Sequence, residues 1–246
     1  MDTLKEICRK TGLHLYQQEK DYLIKLFLFY YFRRFDNAIF KGGTCLRYLY
    51  ETERFSEDID FNIDISPSNF DKQVEIILYE IEMTGINNGY IKKELFEEAY
   101  ASEIWFYGPL YKGTKLTRNK FRIDAGKRGG ISKKPRWELI KSEYPETRKQ
   151  FLIKTMDENE LIVEKIITMF GRKKGRDLYD VWFLLKRGLN IDVELLERKM
   201  TKIMNIKKYP SKHDYERDLK RLTHRLIPYE QVLKDVEDEL EAVIGF

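Results

Sequence analysis

The hydrophobic pattern of this chain shifts from helical to strand period and back. Apolar positions at Tyr22, Leu23, Leu26, Phe29 and Tyr30 mark one face of a helix from Glu19 to Asp36. Asn37 to Lys41 is a short apolar stretch that reads as a strand, and Gly42-Gly43-Thr44 turns it into a helix reaching about Thr52. Asp58 to Ile65 alternates strictly, with Ile59, Phe61, Ile63 and Ile65 on one face and Asp58, Asp60, Asn62 and Asp64 on the other. Ser66-Pro67-Ser68 opens the next helix, which ends at Gly85. Three more strands follow over Tyr90–Glu98, Ala101–Leu110 and Asn119–Ala125, and a further extended segment lies near Trp137 to Glu143.

Beyond residue 155 the period is helical throughout. Asp157–Phe170, Arg176–Lys186, Val193–Met204, Ser211–Arg225 and Tyr229–Val243 all carry it, with Gly171, Gly175 and Gly188 as breaks. The expected architecture is α/β (α+β): a mixed sheet flanked by helices over residues 1–154, then a helical bundle over 155–246. There is no internal repeat and no low-complexity linker.

The chain has 246 residues, 42% hydrophobic and 14% aromatic, enough to bury a core without disulfides. Its two cysteines, Cys8 and Cys45, form no Cys-x-x-Cys pair, which argues against structural zinc and for a reducing compartment. His14, His213 and His224 lack ligand spacing. The N-terminus has no apolar signal core, and the greasiest run, Leu23 to Phe32, is too short to span a bilayer. A cytoplasmic protein with no membrane partner is expected.

Net charge is only +4, but it is unevenly spread. Lys112 to Lys154 holds fourteen Lys/Arg against four Asp/Glu, and Lys199 to Arg225 nine against three. The tail from Tyr229 is acidic, six against one. Each basic run alone fits a solvated surface. Two of them beside a candidate site tilt the balance towards a polyanion such as RNA.

Two aspartates two apart on one strand face repel each other, and Asp is depleted in strands. A divalent cation explains the pair. Mg²⁺ takes carboxylate oxygens together with substrate phosphate oxygens, and such sites serve in-line phosphoryl or nucleotidyl displacement. Taken alone, Asp58 and Asp60 fit a solvated strand edge equally well. Gly42, Gly43 and Thr44 open a helix whose free N–H groups can cradle a phosphate, though a lone Gly-Gly is also an ordinary turn. No Gly-Lys-Ser/Thr follows, so this is not a P-loop. Asp124, in Lys120-Phe121-Arg122-Ile123-Asp124, is the candidate third carboxylate, with a plain polar strand position as the alternative.

Lys165 lies between Leu161 and Met169 in an apolar stripe, where an inward ammonium needs a partner or a phosphate. Arg176, Asp177 and Asp180 share one side of the next helix. A simple Arg176–Asp180 salt bridge is the rival reading there.

Gly42-Gly43-Thr44-Cys45-Leu46-Arg47, followed by Arg54-Phe55-Ser56-Glu57-Asp58-Ile59-Asp60-Phe61, resembles the signature of the AbiEii/AbiGii toxin family. These are nucleotidyltransferase-like proteins of the DNA polymerase β-type superfamily. Glu164-Lys165, Arg172 and Arg176-Asp177-Leu178-Tyr179-Asp180 resemble the second half of that signature. The resemblance covers Ala38 to Leu185 and implies a nucleotidyltransferase fold. It implies Mg²⁺ on Asp58, Asp60 and Asp124, and an NTP whose phosphates meet Thr44, Ser56, Lys165 and Arg176. Asp180, or Asp177 in its place, would orient Lys165 or the acceptor. Ser56 matches a Ser/Thr position of the related MenT-type toxins. The acceptor so implied is the 3′ end of a tRNA, and the cellular partner an antitoxin. Two other classes stay open: transfer to a protein or small-molecule hydroxyl, and a nucleotide-binding interaction module without turnover.

Overall fold

A computed structural model describes residues 2–127, 130–200, 209–223 and 225–244. Helices α1 (Asp2–Thr11) and α2 (Leu15–Arg34) lead into strand β1 (Ala38–Lys41), helix α3 (Gly42–Tyr50), strand β2 (Ile59–Ile63) and helix α4 (Pro67–Glu82). Strands β3 (Asn88–Leu95), β4 (Ala99–Phe106), β5 (Asn119–Gly126), β6 (Arg136–Lys141) and β7 (Gln150–Thr155) follow. The rest is helical: α5 (Glu158–Arg172), α6 (Gly175–Lys186), α7 (Val193–Met200), α8 (Lys212–Leu219) and α9 (Tyr229–Ile244).

The seven strands form one mixed sheet in the order β3-β4-β5-β2-β1-β7-β6. β2 pairs with β5, and β1 with β7, in parallel; the other pairs are antiparallel. The chain divides into two compact units. The first holds the whole sheet with α1, α2 and α4. The second gathers residues 46–56, 131–135 and 156–246.

In the first unit the core lies on one face of the sheet. Phe61 of β2 packs against Tyr31 and Phe32 of α2 and Phe70 of α4. Phe121 of β5 meets Phe27 and Phe106. The odd, apolar face expected for β2 is the one that is buried. The strand itself is shorter than expected, because Asp58 and Asp64 fall outside the ladder. Ser66 caps α4 as its sequence suggests, its hydroxyl accepting from the Asn69 N–H.

α2 departs from the amphipathic expectation. It is buried on nearly every side, and its early turns carry Gln18, Glu19, Lys20, Asp21 and Lys25 into the interior. Each has a partner, as burial of a polar group requires. Glu19 accepts from the Leu110 N–H and the Asn119 amide. Tyr144 donates to Asp21 at 2.8 Å, and Lys25 reaches Glu143 at 2.8 Å. β7 was not anticipated. Phe151, Ile153 and Thr155 do alternate inward, but they sit in a Lys/Arg-rich tract where the apolar signal is thin.

In the second unit Asp157 caps α5 by accepting from Asn159 N–H. The Glu160 carboxylate of α5 is fully buried and accepts from the N–H groups of Ser132 and Lys133 and from Lys199. That triple contact ties the 131–135 segment and α7 to α5. The positions 201–204 expected to extend α7, and His224, lie outside the described residues.

Candidate functional site

The chemistry-bearing residues of the first unit meet where β1 runs into α3. Gly42 has φ +79, a left-handed backbone that favours glycine. A Cβ placed there would lie 2.1 Å from Oδ2 of Asp60. The opening turn of α3 is therefore pressed directly onto the Asp60 carboxylate, and only glycine permits that approach. The first N–H groups of a helix have no intrahelical partner, so the Gly42-Gly43 turn presents donors beside a carboxylate. Thr44 is fully buried and its hydroxyl donates to the Asp58 carbonyl at 2.5 Å. It thereby fixes the entry into β2.

Asp58 and Asp60 are both half-buried, two residues apart and on the same side of the strand. Asp60 stands in register with Lys41 of β1 on one side and Asp124 of β5 on the other. Asp124 is in turn in register with Ala101 of β4. A row Lys41–Asp60–Asp124–Ala101 therefore crosses one face of the sheet. The Asp124 side chain is 43% exposed and pairs with Arg122 at 3.5 Å. Among the described residues no three acidic, His or Cys side chains gather as a metal cluster. Two hard carboxylates without a full protein cage fit Mg²⁺, which keeps waters and substrate oxygens in most of its coordination positions.

The second unit holds a buried ionic network. Asp180 is 1% exposed and Arg54 2%. Arg54 Nε and a terminal nitrogen donate to the two oxygens of Asp180 at 2.7 and 2.8 Å, a bidentate fork. Lys165, 8% exposed, lies 2.7 Å from Asp180 Oδ2 and 3.4 Å from Asp177 Oδ1. The inward lysine read from the helical wheel thus has carboxylate partners. Burial alone would push the Asp180 carboxyl up, but Arg54 and then Lys165 outweigh it and hold it at about 2. Burial likewise works against the Arg54 charge, and Asp180 more than offsets it. Among the described residues Asp177 Oδ2 is buried without a hydrogen bond, and Arg172 Nε lies 3.7 Å from it. Arg176 is half-buried and takes no part in this network. The rival Arg176–Asp180 bridge does not form, because Asp180 points to Arg54 instead. Ser56 is half-buried in the coil that follows Arg54.

Arg54 belongs to the Arg54–Phe61 motif, but nothing local in the sequence gives it a role. It stands 126 residues from Asp180, so no local spacing could connect them. The one available signal was an arginine between Thr52 and Phe55, all three of which prove to be buried.

The model of the nucleotidyl transferase AbiEii toxin family, described as a type IV toxin–antitoxin system, matches residues 27–243. The chain belongs to this family. It is accordingly a nucleotidyltransferase of the toxin type, acting on a nucleotide, and the family's description implies a cognate antitoxin. Among solved structures it is similar to MenT4, the nucleotidyltransferase toxin Rv2826c of Mycobacterium tuberculosis H37Rv. That match has TM-score 0.69 and 18% identity over 99% of this chain and 90% of the other. It is also similar to JHP933 of Helicobacter pylori, with TM-score 0.61 and 16% identity over 95% and 93% of the two chains. At these identities the likeness shows a shared nucleotidyltransferase fold. No curated protein sequence matches the chain significantly. No described helix is long and apolar enough to cross a membrane.

Proposed function

We propose that this AbiEii-family enzyme transfers a nucleoside monophosphate from an NTP to an RNA hydroxyl, the 3′ end of a tRNA, with Mg²⁺ as cofactor. The contact between Gly42 and the Asp60 carboxylate carries this reading. It joins the two things a nucleotidyl transfer needs: carboxylates for a cation and the N–H groups of a helix start for phosphate oxygens.

Asp58 and Asp60 would hold the Mg²⁺, with Asp124, one strand over, as the third carboxylate. When bound, the ion neutralises phosphate charge and polarises the α-phosphoryl group. The Gly42 and Gly43 N–H groups bind triphosphate oxygens. Thr44 keeps Asp58 in place through its carbonyl. The acceptor hydroxyl oxygen bonds to the α-phosphorus and releases its proton to water as the α–β bridging P–O bond breaks, and pyrophosphate leaves.

Lys165 adds positive charge for the phosphates. Its ammonium has three donors, and the two aspartates use two of them. Asp180, fixed by the Arg54 fork, orients it. Ser56 and Arg176 are proposed as further phosphate contacts, and Asp177 as a second anchor for Lys165. The run of fourteen cations against four acids from Lys112 to Lys154 supports a polyanionic acceptor. An antitoxin would restrain the activity in the cell.

The test is label transfer: the intact protein, Mg²⁺, each α-labelled NTP in turn and total tRNA, beside Asp58→Ala/Asp60→Ala. Label on tRNA with the intact protein alone is expected. Label on a protein acceptor instead would move the reading to side-chain modification. Bound NTP without any transfer would mean a binding module.

A further inference from the structure

The carboxylate row lies on a sheet face that stays open across β4 and β5. The opposite face is the aromatic core. On the open face Glu103 is in register with Arg122, and Trp105 with Lys120. Arg122 and Lys120 expose 56% and 50% of their side chains. Trp105 lies on the same face as Asp124, four residues away along β5. At about 3.4 Å per residue and about 4.8 Å per strand, position 105 is roughly 17 Å from Asp60.

Trp105 begins an aromatic ladder. Its ring covers Gly89 of β3, where a Cβ would come within 2.9 Å of the indole. Tyr107 follows, with its centroid 4.5 Å from that of Trp105. Tyr111 then stacks on Tyr107 at 3.8 Å with only 6° between the planes. The connection 107–118 holds Lys112, Lys115 and Arg118 and no acidic residue. Among the described residues none of these three cations takes part in an ion pair. The loop is anchored to α2 through the Leu110 N–H on Glu19 and braced internally, where the Thr117 hydroxyl accepts from the Lys112 N–H and donates to the Thr114 carbonyl.

Stacked rings over a glycine can be explained by strand packing alone, and that accounts for Trp105. It does not account for Tyr107 and Tyr111, which lie past the end of β4, nor for three unpaired cations beside them. Aromatic faces next to unpaired cations are what single-stranded nucleic acid binds: bases stack on the rings while phosphates meet the cations. We infer that the Tyr107–Tyr111 stack and the basic connection Lys112–Arg118 form a docking surface for a single-stranded segment of the RNA acceptor. The open face of β4 and β5 leads from it to Asp60 and Asp124. This rests on the RNA-acceptor reading above and gives it a location.

The experiment measures binding of a fluorescently labelled, unstructured RNA of about 12 nucleotides by anisotropy at several salt concentrations. The proteins are the full chain, Tyr111→Ala and Lys112→Ala/Lys115→Ala/Arg118→Ala, all with exposed or half-exposed targets. NTP binding by calorimetry is the control and is expected to be unchanged. Tyr111→Ala should weaken RNA binding by about 5- to 150-fold, the range for one lost base stack. The triple variant should weaken it and lower the salt slope by about 2, near 0.7 per lost phosphate contact. Wild-type binding with both variants unaffected would overturn the surface and leave the RNA acceptor standing. No RNA binding by the wild type, or binding of an acidic protein instead, would overturn both.

Discussion

The Asp60 carboxylate fills the space that a side chain at position 42 would need: a Cβ on Gly42 would lie 2.1 Å from Asp60 Oδ2. Gly42 also sits at φ +79, so alanine there is strained twice. Asp60 Cγ and Cβ would lie only 2.8 and 2.9 Å away as well, so rotating the carboxylate aside does not relieve the clash and the strand or the turn must shift. Gly42→Ala is therefore expected to lower the melting temperature by at least several degrees, a loss of more than about 1 kcal/mol. Nucleotidyl transfer should fall by more than about 100-fold, because Asp60 is displaced. Calorimetry and the transfer assay on one preparation check both. Equal activity would mean that the turn and the carboxylate do not work together.

Arg54 and Asp180 form a fully buried pair, and removing Arg54 strips both fork bonds from the buried carboxylate and leaves it Lys165 alone. Arg54→Met should cost about 3–5 kcal/mol by urea denaturation. Arg54→Lys should recover only part of it, since an ammonium cannot reproduce the fork. A loss below about 1 kcal/mol in Arg54→Met would show the pair to be incidental.

Asp180 also sets a pH dependence. Its carboxyl is held at about 2 in the folded protein against an ordinary 3.8. The unfolded chain therefore takes up the proton first as the solution is acidified. The stabilisation is complete above about pH 4 and is lost as pH falls through about 2, a contribution of about 2 kcal/mol. Urea midpoints of the wild type should fall over that window, and those of Asp180→Asn should fall less. Parallel curves for the two proteins would contradict this assignment.

The three carboxylates of the sheet are not equivalent. Asp124 is 43% exposed and pairs with Arg122, whereas Asp60 is packed on the α3 turn. Asp124→Ala should reduce transfer less than Asp60→Ala, by at least tenfold, with NTP saturating in both. Equal losses would make Asp124 a full partner in the metal set.

Much of this was legible from residues close in sequence. The Asp-x-Asp strand showed itself because its polar face carried charges that a strand does not tolerate without a reason. Ser66-Pro67 announced α4 through capping chemistry, and the Gly-Gly turn announced the start of α3. Lys165 was visible as a cation in an apolar stripe. Long-range pairings were hidden. Nothing near Arg54 points to Asp180, and nothing near Glu160 points to Ser132, Lys133 and Lys199. The polar residues in the early turns of α2 disguised a helix buried on nearly every side, because partners such as Tyr144 and Asn119 lie about a hundred residues away. The bond from the Thr44 hydroxyl to the Asp58 carbonyl, fourteen residues on, was equally hidden.

The nucleotidyl transfer is proposed to depend on Asp58 and Asp60, set against the Gly42 turn. The most direct test is the Mg²⁺ dependence of pyrophosphate release from NTP in the presence of RNA, for the wild type and Asp60→Asn, with matching circular dichroism. The expected result is release that rises with Mg²⁺ in the wild type and falls by more than about 100-fold in the variant at every Mg²⁺ concentration. Undiminished release by Asp60→Asn, or release unchanged when Mg²⁺ is chelated, would contradict the account.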